Sequence, residues 1–429
     1  MRIIIHTLGC KVNQYESEAM LQVLLEHGFL KCAENEPADV VIVNSCTVTA
    51  QSDAKVRQAL RRLKKDNPGA VSVLTGCMPQ AFPEQMQSFE EADIILGTKN
   101  RLLLPEYITN YLSAKQRIID IKPHENEEKF ESMRLHRFQE RTRAFLKIQD
   151  GCNRFCSFCI IPYARGRVRS KPLEDIEAEV RTLAENGYQE IVLTGINLPA
   201  YGQELNLELC DAVEAVCRVD GIERVRLGSL EPERMSEETV ARFAAQKKLC
   251  PQFHLSLQSG CDDTLWRMNR HYTTEDYRQI VKILRRSFEN AAITTDIMVG
   301  FSGETDEEFR QSLVFAEEIG FAKAHVFTYS KRPGTRACDF PDQVPAAVKT
   351  ARSKQMLALA GKTRLAFFRS QLGQTTPVLI EKEIRENLYE GYTMNYTPVL
   401  IRSDQNISGT LPDVRLTEIE GDYCIGIFP

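Results

Sequence analysis

Three cysteines in the stretch GCNRFCSFCIIPYARG, residues 151–166, stand at a spacing suited to metal chemistry. Cys152, Cys156 and Cys159 follow a C-x3-C-x2-C pattern. Three thiolates hold three irons of a [4Fe–4S] cluster and leave the fourth iron open. The amino and carboxylate groups of S-adenosylmethionine (SAM) would chelate that open iron. An electron from the cluster would then break a C–S bond and yield a 5′-deoxyadenosyl radical. Phe158, between the last two cysteines, would pack near the cluster or the adenine. Zinc is the competing reading, but a structural zinc site is closed by four protein ligands. No fourth Cys or His follows at finger spacing.

A second set is scattered. Cys10, Cys46 and Cys77 each follow an apolar run, in HTLGC, NSC and TGC. Parallel sheets bind ligands at the carboxyl ends of their strands, so the three would converge on one sheet edge as a second three-ligand cluster site. The competing reading is three buried thiols, since free Cys packs as a small apolar residue. That reading suits Cys32, Cys210, Cys217, Cys250, Cys261, Cys338 and Cys424, which lack ligand spacing. Thirteen cysteines, an odd number, argue against a closed disulfide framework.

SAM needs polar groups at strand ends near the first set. The candidates are Gly195 and Asn197 in LTGIN, Ser229 and Glu231 in LGSLEP, Gln258 and Ser259 in LSLQSG, and Asp296 in TDIMVG. Arg270 in WRMNRHY is a fork donor for the SAM carboxylate. Strand-end turns and helix caps are the plainer reading, and Ser236 and Thr274 fit a capping pattern.

The elements that would carry these residues are legible as alternating apolar runs and amphipathic segments. Strands are expected at 2–7, 40–45, 71–75 and 93–96, with helices at 14–27 and 50–65. This gives an N-terminal parallel α/β domain over 1–119. A charged linker, 120–143, precedes a second α/β series over 144–372. Its strands are expected at 144–149, 190–194, 223–228, 253–257, 293–299 and 324–329. Six strand–helix units predict a partial (β/α)6 barrel. Short β-like runs from 373 to 429 predict a small antiparallel β-barrel.

Composition is that of an ordinary soluble chain, 43% hydrophobic and 26% charged, with a net charge of −5. No apolar stretch reaches membrane-spanning length and MRIIIHTLGC is no signal peptide, so the expectation is a cytoplasmic protein with no membrane partner. Any RNA site must therefore come from local charge. Residues 131–171 hold ten cations against Glu131, Glu140 and Asp150, and Arg141 and Arg143 lie among those ten. Lys55, Arg57, Arg61, Arg62, Lys64 and Lys65 line the helix at 50–65. The C-terminal barrel is net acidic, so Tyr392 and Tyr396 are its candidate RNA-facing groups.

The C-x3-C-x2-C stretch resembles the radical SAM superfamily signature. GCKVNQYES (9–17), NSCTVTAQSDAKVRQALRR (44–62) and TGCMPQ (75–80) resemble the methylthiotransferase family. The match runs the length of the chain. It implies two [4Fe–4S] clusters, SAM as radical source and methyl donor, and a C-terminal RNA-binding TRAM domain. GCKVNQYES most resembles the branch that acts on threonylcarbamoyladenosine. The implied reaction adds a methylthio group at C2 of that nucleoside at position 37, in a tRNA anticodon stem-loop. Flavodoxin or ferredoxin is the implied kind of electron donor. Ser302 in GFSGET and the LPAYG stretch, 198–202, depart from the family pattern. The rivals are isopentenyladenosine 37 or a ribosomal-protein aspartate as target, or a non-catalytic metal-bearing RNA scaffold.

Overall fold

Strand residues of the N-terminal part alternate between two apolar layers, and this alternation builds its sheet. The computed structural model describes residues 1–33, 36–138 and 142–429. Glu140 and Arg141 of the basic stretch lie outside the described residues. Six strands pair in parallel, in the order Leu30–Lys31, Arg2–Thr7, Val40–Ser45, Val71–Gly76, Ile94–Leu96, Ile118–Asp120. Val41, Val43 and Leu74 meet Val56, Leu60 and Leu63 of helix Ala50–Asp66 on one face. Val40, Ile42 and Val73 meet Met20 and Leu24 of helix Lys11–Glu26 on the other. Continuous apolar runs such as VVIV suit a parallel sheet covered on both faces. Two outer strands, Leu30–Lys31 and Ile118–Asp120, are additions that are too short for periodicity to reveal. Helix Lys11–Glu26 starts earlier than expected because Cys10 caps it together with Asn13.

The second α/β series forms two parallel sheets. One holds Arg143–Lys147, Glu190–Thr194 and Arg224–Leu227. The other holds Ser229–Leu230, Gln252–Leu255, Ala292–Val299 and Lys323–Thr328. A parallel bridge between Val225 and Leu249 links them. The terminal strands Arg143–Lys147 and Lys323–Thr328 are not paired with each other among the described residues, which leaves a lateral mouth. Helix Lys11–Glu26 packs along Arg143–Lys147 beside it. Thr273, rather than Thr274, caps helix Thr274–Ser287, because Asp276 returns a bond to the Thr273 N–H and closes a reciprocal capping box.

The C-terminal strands close into a five-stranded barrel. Four of its pairings are antiparallel, whereas Pro398–Arg402 runs parallel to Tyr423–Ile427. The fully antiparallel expectation is corrected by parity: directions cannot alternate all the way round a ring with an odd number of strands.

Candidate functional site

The C-x3-C-x2-C loop leaves the Arg143–Lys147 strand and folds back on itself. Cys152 N donates to Gly166 O at 3.0 Å and Cys159 N to Cys156 O at 3.0 Å. The three thiols lie close enough to act on one another's ionisation. Burial pushes the Cys152 thiol up to about 11, and Cys156 adds to the rise. Burial raises Cys159 further, again with Cys156 and Cys152 contributing. Thiols held this way ionise when a cation takes the proton's place. Three thiols on one loop fit a cluster with an open iron better than tetrahedral zinc, which takes four protein ligands.

Two other strand ends, through Asn197 and Glu231, and the turn between helices Asp262–Arg267 and Thr274–Ser287, through Arg270, send polar groups to this loop. Arg270 Nη1 donates to Cys156 Sγ at 3.2 Å and to Glu231 Oε1 at 3.2 Å. Asn197 Nδ2 lies 3.6 Å from Cys152 Sγ and 3.3 Å from Glu231 Oε2. Arg154 Nε donates to Glu231 at 3.1 Å and also pairs with Glu233. Asn197 Oδ1 and Gln258 Oε1 are buried without a partner. Such an atom costs about 1–3 kcal/mol until a ligand completes it. The residues present therefore fit the polar amino-acid head of SAM.

The remaining SAM candidates are placed as follows. Gly195 packs so tightly on Gln149 that an added Cβ would stand 2.8 Å from Gln149 Oε1. Ser229 is exposed. Ser259 is buried, and its hydroxyl accepts from Cys261 N at 3.3 Å, a contact within its own turn. Asp296 pairs with His254 at 3.3 Å. The structure thus gathers Asn197, Glu231 and Arg270 around the thiols, whereas Ser259 and Asp296 engage other partners.

Cys10, Cys46 and Cys77 do meet at the carboxyl edge of the N-terminal sheet. Burial pushes Cys77 up to about 12, and Cys46 and Cys10 both contribute to the rise. Buried amides tie the three loops together. Asn13 Oδ1 accepts from Cys10 Sγ at 3.2 Å, and Asn13 Nδ2 donates to Ser45 O at 3.2 Å. Asn44 Nδ2 donates to Asn13 O at 2.9 Å and Ser17 Oγ at 3.0 Å. Gly76 has a φ of +102°, and a Cβ there would stand 2.6 Å from both Asn44 Oδ1 and Ser45 O. Only glycine lets the third loop approach this closely.

The two sets of thiols are bridged by charge. Arg165, on the helix that follows Cys159, sends Nε to within 3.1 Å of Cys77 Sγ. Its guanidinium grips Glu16 through Nη1 at 2.5 Å and Nη2 at 3.0 Å. Glu16 also takes Arg101 at 2.5 Å and Lys147 at 2.8 Å. Burial opposes the charge of Glu16, but Arg101, Arg165 and Lys147 outweigh it and hold the carboxyl well below the usual carboxylate range. Arg332 completes the wall by binding Asp53 at 2.7 Å and Thr47 at 2.5 Å, beside Cys46. Sequence reasoning missed Asn13, Asn44, Glu16 and Arg332 as site residues, although Asn13 and Glu16 lie inside GCKVNQYES.

The basic stretch is corrected in the same way. Lys147, Arg165, Arg169 and Lys171 are buried in ion networks, not turned to solvent. Arg143 pairs with Glu190 and Glu381. Arg134, Arg137 and Arg167 remain exposed, as do Lys55, Arg61, Arg62 and Lys65 of the N-terminal helix. Tyr392 and Tyr396 stack on each other at 4.7 Å and lie against arginines of the central sheets. Arg143 lies 5.0 Å and Arg226 4.7 Å from the Tyr396 ring. Arg224 and Arg226 also bond the backbone carbonyls of Tyr392 and Met394, which docks the barrel.

A final group sits at the lateral mouth. Burial, followed by the Arg143 and Arg226 charges, pushes the Lys11 ammonium down to about 8. His325 and Lys323 are exposed on the terminal strand across from it. A surface cavity of about 700 Å³, lined by Glu177, Arg181, Arg218 and Asp220 among others, has none of the six cysteines in its wall.

Comparison with known proteins agrees with this layout. Residues 146–316 match the radical SAM superfamily, and residues 2–97 match the uncharacterized protein family UPF0004. The chain is 36% identical to the threonylcarbamoyladenosine tRNA methylthiotransferase MtaB of Bacillus subtilis, over 99% of this chain and 96% of that one. It is 35% identical to the tRNA-2-methylthio-N(6)-dimethylallyladenosine synthase of Pelotomaculum thermopropionicum, over 99% and 97%. The solved radical SAM methyltransferase TsrM of Kitasatospora setae shares the fold, with a TM-score of 0.59 at 14% identity over 79% of this chain and 74% of that one. With both cysteine sets in place and relatives matched nearly end to end, the chain belongs to the radical SAM tRNA methylthiotransferases, enzymes that use SAM and two [4Fe–4S] clusters.

Proposed function

We propose that this enzyme adds a methylthio group to C2 of N6-threonylcarbamoyladenosine at position 37 of tRNA. The observation that carries the substrate is GCKVNQYES, residues 9–17, which places a lysine directly after the first cysteine. In this reading Cys152, Cys156 and Cys159 hold the radical-generating cluster, and Cys10, Cys46 and Cys77 hold the second. When loaded, the first cluster supplies the electron for reductive SAM cleavage and the second serves sulfur delivery. Asn197, Glu231, Gln258 and Arg270 orient SAM, with Gly195, Ser229, Ser259 and Asp296 at the rim. Arg270 is suited to the SAM carboxylate and Glu231 to its ammonium.

The domains are then 1–119 for the second cluster, 120–143 as linker, 144–372 as a partial radical SAM barrel, and 373–429 as a TRAM-like barrel. The anticodon stem-loop meets the exposed cations Arg137, Arg167, Arg61 and Arg62, so binding weakens with salt as counterions are released. The working place is the cytoplasm, with a flavodoxin or ferredoxin as electron donor.

Isopentenyladenosine is the second reading, favoured by the comparable identity to a dimethylallyladenosine synthase. Mass spectrometry of nucleosides after incubation with each precursor tRNA decides between them. Conversion of isopentenyladenosine alone would overturn the substrate proposed here and leave the radical chemistry standing.

A further inference from the structure

The lateral mouth carries positive charge that the described residues do not neutralise. Lys11 follows Cys10 and opens helix Lys11–Glu26. Among the described residues its ammonium has neither a hydrogen bond nor a carboxylate within ion-pair distance. Its neighbours are Arg143, Arg226 and Glu190.

Glu190 is already engaged by three arginines, with Arg226 at 2.8 Å, Arg143 at 3.8 Å and Arg224 at 3.8 Å. Glu381 pairs with Arg143. Asp296, further along the mouth, pairs with His254 at 3.3 Å. Four cations therefore share Glu190 and Glu381. The arginines are fixed in place: Tyr396 lies against Arg143 and Arg226, and Arg224 and Arg226 bond carbonyls of the C-terminal barrel. Lys11 differs from them in kind, a compact charge on a flexible stem with three donors to offer. A half-buried charge without a partner gains from an arriving anion.

We propose that Lys11 binds the free carboxylate of the amino-acid arm on the substrate adenosine, and so selects a carboxylate-bearing nucleoside over a hydrocarbon-bearing one. This rests on the threonylcarbamoyladenosine reading above. The threonyl group keeps its carboxylate after attachment through the carbamoyl nitrogen. An isopentenyl arm has no charge and would leave the half-buried Lys11 ammonium unpaired, and an unpaired group at a site built to bind a polar arm is a basis for rejection.

The test uses the full-length enzyme with both clusters reconstituted. Its substrates are three anticodon stem-loops, carrying threonylcarbamoyladenosine, its carboxylate methyl ester, or isopentenyladenosine. The expected result is that kcat/KM for the acid exceeds that for the ester by about tenfold or more, the size of one charge-assisted contact. Lys11→Gln should bring that ratio near one, and Lys11→Arg should restore it. General damage lowers both substrates together and leaves the ratio unchanged, and an unchanged ratio in Lys11→Gln overturns the proposal. So does a wild-type enzyme that turns over acid and ester equally, a comparison that needs no variant. In that case product analysis still shows whether threonylcarbamoyladenosine is the substrate. Turnover of the isopentenyl stem-loop alone instead sinks the substrate reading itself.

Discussion

The two cysteine sets are brought together by opposite routes. Cys152, Cys156 and Cys159 lie on one loop, and their spacing is written locally. Cys10, Cys46 and Cys77 come from three loops, and only the strand order Arg2–Thr7, Val40–Ser45, Val71–Gly76 makes them neighbours. The local set needs outside help for its ligand pocket, from Asn197, Glu231 and Arg270. The assembled set needs help merely to exist, from Asn13, Asn44 and Gly76. A motif can be compact because its environment is supplied later in the chain. A dispersed site must carry its own scaffold.

Removing ligands gives the largest contrast. Cys156→Ala should abolish SAM cleavage, whereas Cys46→Ala should retain cleavage and lose the methylthio product. Loss of both activities in both variants would show that the sites are not separable. Iron analysis sharpens the same point. Reconstituted protein should hold about eight irons, and replacing Cys152, Cys156 and Cys159 together by Ala should leave about half.

Next in size is the charge that joins the two regions. Glu16→Ala strands Arg101, Arg165 and Lys147 in the interior. Removing one partner from such a network costs about 3–5 kcal/mol, readable as a lower denaturation midpoint. The folded-state pKa of Glu16 lies below its unfolded value, so its contribution is full above about pH 4.3 and is lost as pH falls toward the folded pKa. Glu16→Gln should therefore be less stable than wild type at neutral pH, with the gap narrowing in acid. A gap that is constant with pH would mean the carboxylate charge is not what matters.

The smaller effects separate scaffold from pocket. Asn44→Ala should lower stability by about 1–3 kcal/mol and reduce iron at the assembled set more than at the local one. Arg270→Lys keeps the charge but loses the planar fork, so KM for SAM should rise by about tenfold with iron content unchanged. An Asn44 variant that lost iron equally from both sets would erase the distinction drawn here.

Much of the fold was legible because strand and helix periods are strong in this chain. Each of the six strands expected between 144 and 329 is present within two residues at either end. The two cysteine groups stand out in the sequence by spacing and by their position after strands, and the structure brings each group together. Charge was harder to read. Ten cations around the C-x3-C-x2-C loop suggested an RNA face, yet Lys147 and Arg165 answer the buried Glu16 far away in sequence, Arg169 answers Glu128, and Lys171 answers the buried Glu179. Glu16 sits 149 residues from Arg165, and no local pattern announces that pair. The role of Tyr392 and Tyr396 in the domain contact was not legible for a related reason, because an aromatic face suits an arginine as well as it suits a base.

The reach of Arg165 and Arg332 into the N-terminal sheet bears on how the protein is made. All three cysteines of the assembled set have been synthesised by residue 77, but Arg165 at Cys77 and Arg332 at Thr47 come much later. A chain emerging from the ribosome thus displays three thiols before it owns the groups that enclose them. The enclosure of these thiols is complete only once the following domain has folded back onto the N-terminal sheet.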